Sequence, residues 1–244
     1  MTHLKVRTKE QIRATVEAEK RSPEAKQYDV TRYFRPSVAV DLVVFTAVKD
    51  QLQVLLVQRK DWPFKGRWAL PGGFVREQEG LMDAAKRELE EETGVSDVYL
   101  EQLRAFGDPV RDPRTRVITV AHYALILSER LNMRASGDAG EVRWWSVYEL
   151  PELAFDHDII LDLALTRLRG QIMTSRVAFR LLPEKFTLTE IQKLYEIILG
   201  KALDKRNFRK KILSTGVLIE TAETVLKGRH RPARLFRFNP DVEE

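Results

Sequence analysis

Between Gly72 and Val95 the chain reads GGFVREQEGLMDAAKRELEEETGV, which crowds carboxylates, two arginines and four glycines into one short stretch. The recurrence of Leu81, Met82, Ala85 and Leu89 predicts a helix from Glu79 to Glu92, with Gly94 placed to stop it. Residues three and four apart on a helix share a face, so Glu88, Glu91 and Glu92 project together. Like charges so placed repel, and a hard divalent cation with oxygen ligands relieves the repulsion. Magnesium suits the task because it keeps several waters and prefers a few carboxylates beside substrate phosphates. Arg87 can brace one carboxylate or meet a phosphate, while Gly72 and Gly73 permit a turn that a side chain would block. The plain alternative for such a run is a solvated, glutamate-rich helix face.

The elements that must position this helix are legible on both sides of it. SVAVDLVVFTAV and LQVLLVQRK, separated by a polar KDQ turn, read as paired strands because β-branched residues dominate and the runs are short. Asp61 to Gly73 reads as a loop with two prolines and three glycines. VYLEQLRAF, VITVAHYALIL and EVRWWSV supply further strands, giving an α/β or α+β sandwich with a mixed sheet. The division expected is an N-terminal extension over 1–35, a catalytic-type domain over 36–152, a linking helix over 153–180 and a last domain over 181–240. Within the extension, Glu10 to Lys20 shows a weak amphipathic pattern.

A chain of 244 residues suffices for one large domain or two modest ones. With 43% hydrophobic and 32% charged residues it reads as soluble and globular. The longest apolar run, Val38 to Val48, is too short for a membrane span and contains Asp41. The first residues, MTHLKVRTKEQIR, carry no apolar stretch of the secretory kind. The absence of cysteine excludes disulfides and thiolate zinc sites and is compatible with a reducing cytoplasm.

The net charge of +5 is unevenly spread, for residues 181–244 hold 13 basic against 9 acidic side chains. There, TLTEIQKLYEIIL reads as a capped amphipathic helix with Thr187 or Thr189 as N-cap, and Gly200 ends it. A second helix, Asp204 to Leu213, follows a short turn, and VLIET and RLFRF form two strands joined by the basic loop KGRHRPA. Helix, turn, basic helix and hairpin is the order of a winged helix-turn-helix. Lys205, Arg206, Arg209 and Lys210 are expected on the exposed side, with Phe208, Ile212 and Leu213 facing inward. Such a helix can enter a major groove, its cations offsetting phosphates and Asn207 or Arg206 reaching base edges. Arg229 and Arg231 on the loop suit a minor groove or backbone, and a basic dimerisation appendage is the alternative.

Gly73, Glu79, Arg87, Glu88, Leu89, Glu91, Glu92, Gly94 and Val95 fill every specified position of the Nudix box. Residues from about 36 to 150 therefore resemble a Nudix hydrolase domain. That resemblance implies cleavage of a pyrophosphate linked to a nucleoside or similar group, with magnesium or manganese. It makes Glu88, Glu91 and Glu92 the metal ligands, Arg87 their orienting residue, and Glu79 a residue that stabilises the site or completes the metal set. The box does not fix the general base. Glu141 is the candidate, since family bases often lie on a late loop, and an ordinary surface glutamate is the alternative. Arg59 and Arg67 are candidates for phosphate contacts, and Arg111 or Arg114 for a second ligand group. Phe64, Trp68 and Trp62 are candidates to stack an adenine, with core or rim packing the alternative.

The whole arrangement resembles the Nudix-related transcriptional regulators of NAD metabolism. It does so through LLVQRKDWPFKGRWALPGGF, LAFDHDIIL and YEIILGKALDKRNFRKKI, followed by KGRHRPARLF, across residues 36 to 239. The resemblance implies ADP-ribose or a related nucleotide as ligand, a double-stranded DNA operator, a homodimer and no membrane partner. Many such regulators carry a degenerate box and do not hydrolyse, whereas here every ligand position is present. Two alternatives stand beside this: a plain ADP-ribose pyrophosphatase whose tail serves dimerisation, and a Nudix-type regulator of sugar catabolism.

Overall fold

The computed structural model describes residues 7–48, 50–96, 98–127, 139–172, 177–226 and 232–242. Of these, residues 7–36 belong to a compact unit of their own. It holds helix α1 (Lys9–Glu19), opened by a capping box between Thr8 and Gln11, and helix α2 (Pro23–Gln27), capped by Ser22. Neither helix buries a residue.

The second unit is built round strand β1 (Ser37–Val48), whose residues from Val40 to Phe45 are fully buried or nearly so. A continuous apolar run of this kind is what a strand covered on both faces requires. Its alternation sorts the layers. Leu42 and Val44 pack with Leu55, Ala85 and Leu89 on one face, while Val43 and Phe45 join the larger core on the other.

Strand β2 (Gln51–Arg59) pairs antiparallel with the last residues of β1, and β3 (Trp68–Ala69) pairs with β2. Strand β4 (Gly72–Phe74) takes the earlier part of the same β1 edge, setting Gly73 opposite Val40 and Gly72 opposite Asp41. The edge of β1 is thus shared, and the sheet forks there. Asp61–Gly73, expected as loop throughout, contains these two short strands. Helix α3 (Leu81–Thr93) follows, closed by Gly94 in the left-handed conformation. It starts at Leu81, so Glu79 precedes the helix that was expected to include it.

Strands β5 (Tyr99–Phe106) and β6 (Val117–Leu125) pair antiparallel, and β6 lies parallel to β1, which makes the sheet mixed. Strand β7 (Ala139–Ser146) pairs with β2. Helix α4 (His157–Gln171) covers the face opposite α3, with Ile160, Leu161, Ala164 and Leu168 in the larger core.

After a 3-10 turn (Val177–Leu181) come β8 (Lys185–Phe186), α5 (Leu188–Leu199), α6 (Lys205–Ser214), β9 (Leu218–Val225) and β10 (Ala233–Phe238). The three strands make a small sheet in the order β8-β10-β9, the wing of a winged helix. Of the two candidate caps, Thr187 opens α5, with Glu190 completing a capping box. Ile191, Leu194, Ile198, Phe208, Ile212 and Phe236 belong to the same apolar cluster as Val43, Phe45 and Ile160. The winged helix therefore shares a core with the sheet domain. Leu213, expected to face inward, is 48% exposed, because the helix turns Phe208 and Ile212 toward α5 instead.

Candidate functional site

The carboxylates of α3 and its approach are organised by one guanidinium. Arg87 donates to both oxygens of Glu79, from Nε at 2.7 Å and Nη2 at 2.9 Å. From Nη1 it reaches Glu88 at 2.6 Å and Glu91 at 3.4 Å, and Nη2 also donates to the Phe74 carbonyl at 3.3 Å. Glu79 additionally accepts the Arg76 backbone N–H at 3.1 Å. The hydrogen bond from Arg87 holds the Glu79 carboxyl down to about 2. Burial, by contrast, pushes Glu88 up despite Arg87 beside it.

The helix does not treat the three glutamates alike. Glu88 and Glu92 are each 8% exposed, four residues apart and turned toward the sheet, whereas the Glu91 side chain is 44% exposed at the rim. Arg76 lies 3.5 Å from Glu91 on its outer side.

Gly73 explains why the glycine turn and the helix must occur together. A Cβ built there would lie 2.2 Å from Oε1 of Glu88, so the carboxylate fills the space a side chain would need. At Gly72 a Cβ would meet the Val40 carbonyl at 2.2 Å. We expect Gly73→Ala to lower the unfolding free energy by about 1–3 kcal/mol through overpacking, read from the denaturant midpoint. Glu88→Ala in the same chain should restore most of that loss.

The donor set suits a hard divalent cation: oxygen donors only, negative in sum, with the buried Glu88 carboxylate paired to a single arginine. Among the described residues no three acidic or histidine side chains converge on one point, and Arg87 ties Glu79, Glu88 and Glu91 together.

A cavity of about 220 Å³ opens beside the fork in the sheet, lined by Gly72, Gly73, Arg59, Arg111 and Arg114, with Asp41, Phe74, Phe155 and His157 among its other walls. Desolvation lowers the Arg59 pKa, with Arg114 the next cause. An anion entering here would relieve both effects. Phe74 and Phe155 lie under Arg114 at 5.3 and 5.7 Å, and Phe155 lies under Arg59 at 5.0 Å.

Behind this wall is a buried ion cluster. Arg111 donates from Nε and Nη2 to Asp156 at 2.9 and 2.5 Å, and from Nη2 to Asp41 at 3.3 Å. His157 Nδ1 accepts the Leu70 backbone N–H at 2.8 Å, and its Nε2 stands 3.6 Å from Asp41. Burial pushes the His157 pKa down, which keeps the ring neutral as that acceptance requires. Asp156 and His157 open α4, so the helix leading to the winged domain begins in the wall of the cavity.

Of the residues expected to meet a ligand, Arg59, Arg111 and Gly73 line this cavity, and Phe64 lines a neighbouring one. Arg67 instead pairs with Glu152 at 2.8 Å, and Trp68 packs edge-on against Trp145 at 5.2 Å, partly buried against the core. Trp62 is 68% exposed. Glu141 is exposed on strand β7 rather than on a loop, because Val142 beside it is held in the ladder opposite Val57. Phe155 and His157 were missed as individual site residues, although the quoted phrase LAFDHDIIL contains both.

On α6, Lys205, Arg206, Asn207 and Lys210 are exposed as expected, and Asp204 caps the helix by accepting the Asn207 N–H at 2.8 Å. Arg209 departs from expectation: it is half-buried and donates to Thr189 at 3.1 Å, so it ties α6 to α5. Arg229 and Arg231 lie outside the described residues.

A glutamate-bearing helix braced by one arginine against a glycine turn, on a mixed sheet that shares its core with a winged helix, defines a Nudix-type protein with an appended winged domain. The NUDIX domain profile matches residues 35–164, and the NrtR DNA-binding winged helix domain profile matches residues 178–238. The chain is 40% identical over 217 residues to the ADPR responsive transcriptional repressor NtrR of Acinetobacter baylyi, covering 87% of this chain and 86% of that one. It resembles the crystal structure of Shewanella oneidensis NrtR complexed with a 27mer DNA, with TM-score 0.73, 38% identity, and 84% and 94% of the two chains covered. The NUDIX domain of the same NrtR complexed with ADP ribose matches with TM-score 0.54 and 38% identity, over 62% of this chain and 98% of that one. The chain belongs to the Nudix family, in the branch that carries the NrtR winged helix domain. Among the described residues no helix is long and apolar enough to cross a membrane.

Proposed function

We propose that this protein is an ADP-ribose-responsive DNA-binding repressor whose Nudix site retains the groups for metal-dependent hydrolysis. The observation that carries the reading is the union, in one folded unit, of a glycine- and arginine-lined cavity with a winged helix presenting a basic face. The likeness to ADPR-responsive and DNA-bound relatives through both domains supports it. The protein acts in the cytoplasm as a homodimer on a two-fold operator. The genes it controls belong to NAD metabolism.

Arg59, Arg111 and Arg114 receive the anionic part of the ligand, and the narrow backbone at Gly72 and Gly73 lets it approach β4. Glu88, Glu91 and Glu92 would hold magnesium or manganese, which would supply charge neutralisation and an activated water. Glu79 acts on Arg87, fixing the guanidinium from which Glu88 and Glu91 are oriented.

Lys205, Arg206 and Lys210 contact phosphates, with Asn207 placed for a base edge. A band shift with the protein's own upstream DNA tests the reading. Binding should fall steeply with salt and weaken when ADP-ribose is added. Absence of binding at low salt, with or without ADP-ribose, would overturn it. Arg206→Ala should weaken binding and reduce the salt slope by about 1, leaving ADP-ribose affinity unchanged.

The second reading, a plain ADP-ribose pyrophosphatase, is favoured by the complete box and the close fit of Gly73 to Glu88. Rapid hydrolysis together with no DNA binding would select it.

A further inference from the structure

Two cavities meet at Phe155. The cationic one lies beside Gly73, while the second, of about 430 Å³, is walled by Phe64, Phe106, Val110 and Ile159. Phe155 and Arg111 line both. The Phe155 ring packs edge-on against Phe64 at 4.8 Å, and Arg59 lies 5.0 Å from its centre. Its backbone has φ 57°, a left-handed conformation that residues with a Cβ avoid.

The neighbours keep it there. The Ala154 N–H donates to the Trp68 carbonyl at 2.7 Å, Asp156 is gripped by Arg111, and His157 accepts the Leu70 N–H. The chain on both sides of Phe155 is thus pinned to the sheet domain, and the ring is held between the cavities against its own backbone preference. Strain maintained by surrounding contacts clusters at active sites, ligand clamps and switch regions.

We infer that Phe155 is the specificity-determining residue of this site. It admits ligands whose anionic group lies among Arg59, Arg111 and Arg114 and whose flat, apolar group enters the second cavity beside its ring. The ligand class is a nucleoside diphosphate derivative, and the residue selects for the presence of a base. An aromatic face offers no hydrogen-bond pattern, so it does not itself distinguish one base from another. The inference rests on the ADP-ribose reading above.

Calorimetric titration of the full chain without divalent metal, using ADP-ribose and inorganic pyrophosphate as probes, tests it. Phe155→Leu and Phe155→Gly should each reduce the preference for ADP-ribose over pyrophosphate by about tenfold or more, within the usual worth of a stacked base. Glycine accepts the left-handed backbone, so that variant removes the ring while preserving the turn. Phe155→Tyr should keep the wild-type preference. An unchanged preference in both the leucine and glycine variants, or an equal loss for both probes, overturns the inference alone. Failure of the wild-type chain to bind ADP-ribose overturns the functional reading and this inference with it.

Discussion

Arg111→Met lowers the unfolding free energy by about 3–5 kcal/mol, the loss expected when one partner of a buried charge cluster is removed. The Arg111 side chain is 4% exposed, and its two partners, Asp41 and Asp156, are 11% and 16% exposed. Without the guanidinium the buried Asp41 and the partly buried Asp156 lose their cation, and the neighbouring neutral His157 offers no countercharge. Stability of the typical domain is only about 5–15 kcal/mol, so this single change would consume a large part of it. Chemical denaturation measures the loss. Adding Asp41→Asn and Asp156→Asn to the same chain should recover at least half of it. A loss under about 1 kcal/mol would mean that packing, rather than charge, holds the junction.

The second large effect is on chemistry. Any hydrolysis of ADP-ribose should fall by about 100-fold or more in each of Glu91→Gln and Glu92→Gln, since metal-borne charge stabilisation is worth several kcal/mol. Glutamine keeps the size and the polar atoms, so the fold should hold. DNA binding without ligand should be unchanged, because neither substitution alters the exposed face of α6. Survival of hydrolysis in both variants would remove these residues from the metal set. In the same assay, a 100-fold loss in Glu141→Gln would assign the exposed β7 carboxylate as general base.

Where the sequence carried periodicity, the fold could be read from it. β1 begins and ends at the residues its β-branched run marked, and α5 begins at one of its two candidate caps, because alternation and capping are local rules. The fork at β1 was not legible. Nothing local tells GGF to pair with β1 or WA with β2, since those bonds join residues distant in the chain. The box helix was readable from spacing, yet the unequal burial of Glu88, Glu92 and Glu91 depends on which side the sheet lies. Arg209 shows the same limit. Its charge and neighbours suggested a free basic face, and only the packing of α6 on α5 turns it to Thr189. Phe155 could have been noticed as an aromatic before an Asp-His pair, but its left-handed backbone is a property of the closed structure.

The shared core has a consequence for how this protein can be dismantled or recombined. Tyr148 donates to the Ile197 carbonyl at 2.7 Å and Arg169 to the Ile198 carbonyl at 2.9 Å, so groups of the sheet domain and α4 finish the last turn of α5. Gly200 leaves no room for a side chain, since a Cβ there would lie 2.9 Å from the Tyr148 hydroxyl. Cutting the chain near residue 180 would strip Ile191, Leu194 and Ile198 from the cluster they share with Ile160 and Leu161. Such a fragment should unfold at a lower denaturant concentration than the whole chain, and a winged domain grafted from a distant relative would meet a different surface. Reader and sensor lean on each other's side chains here, so a substitution in either should register in the stability of both.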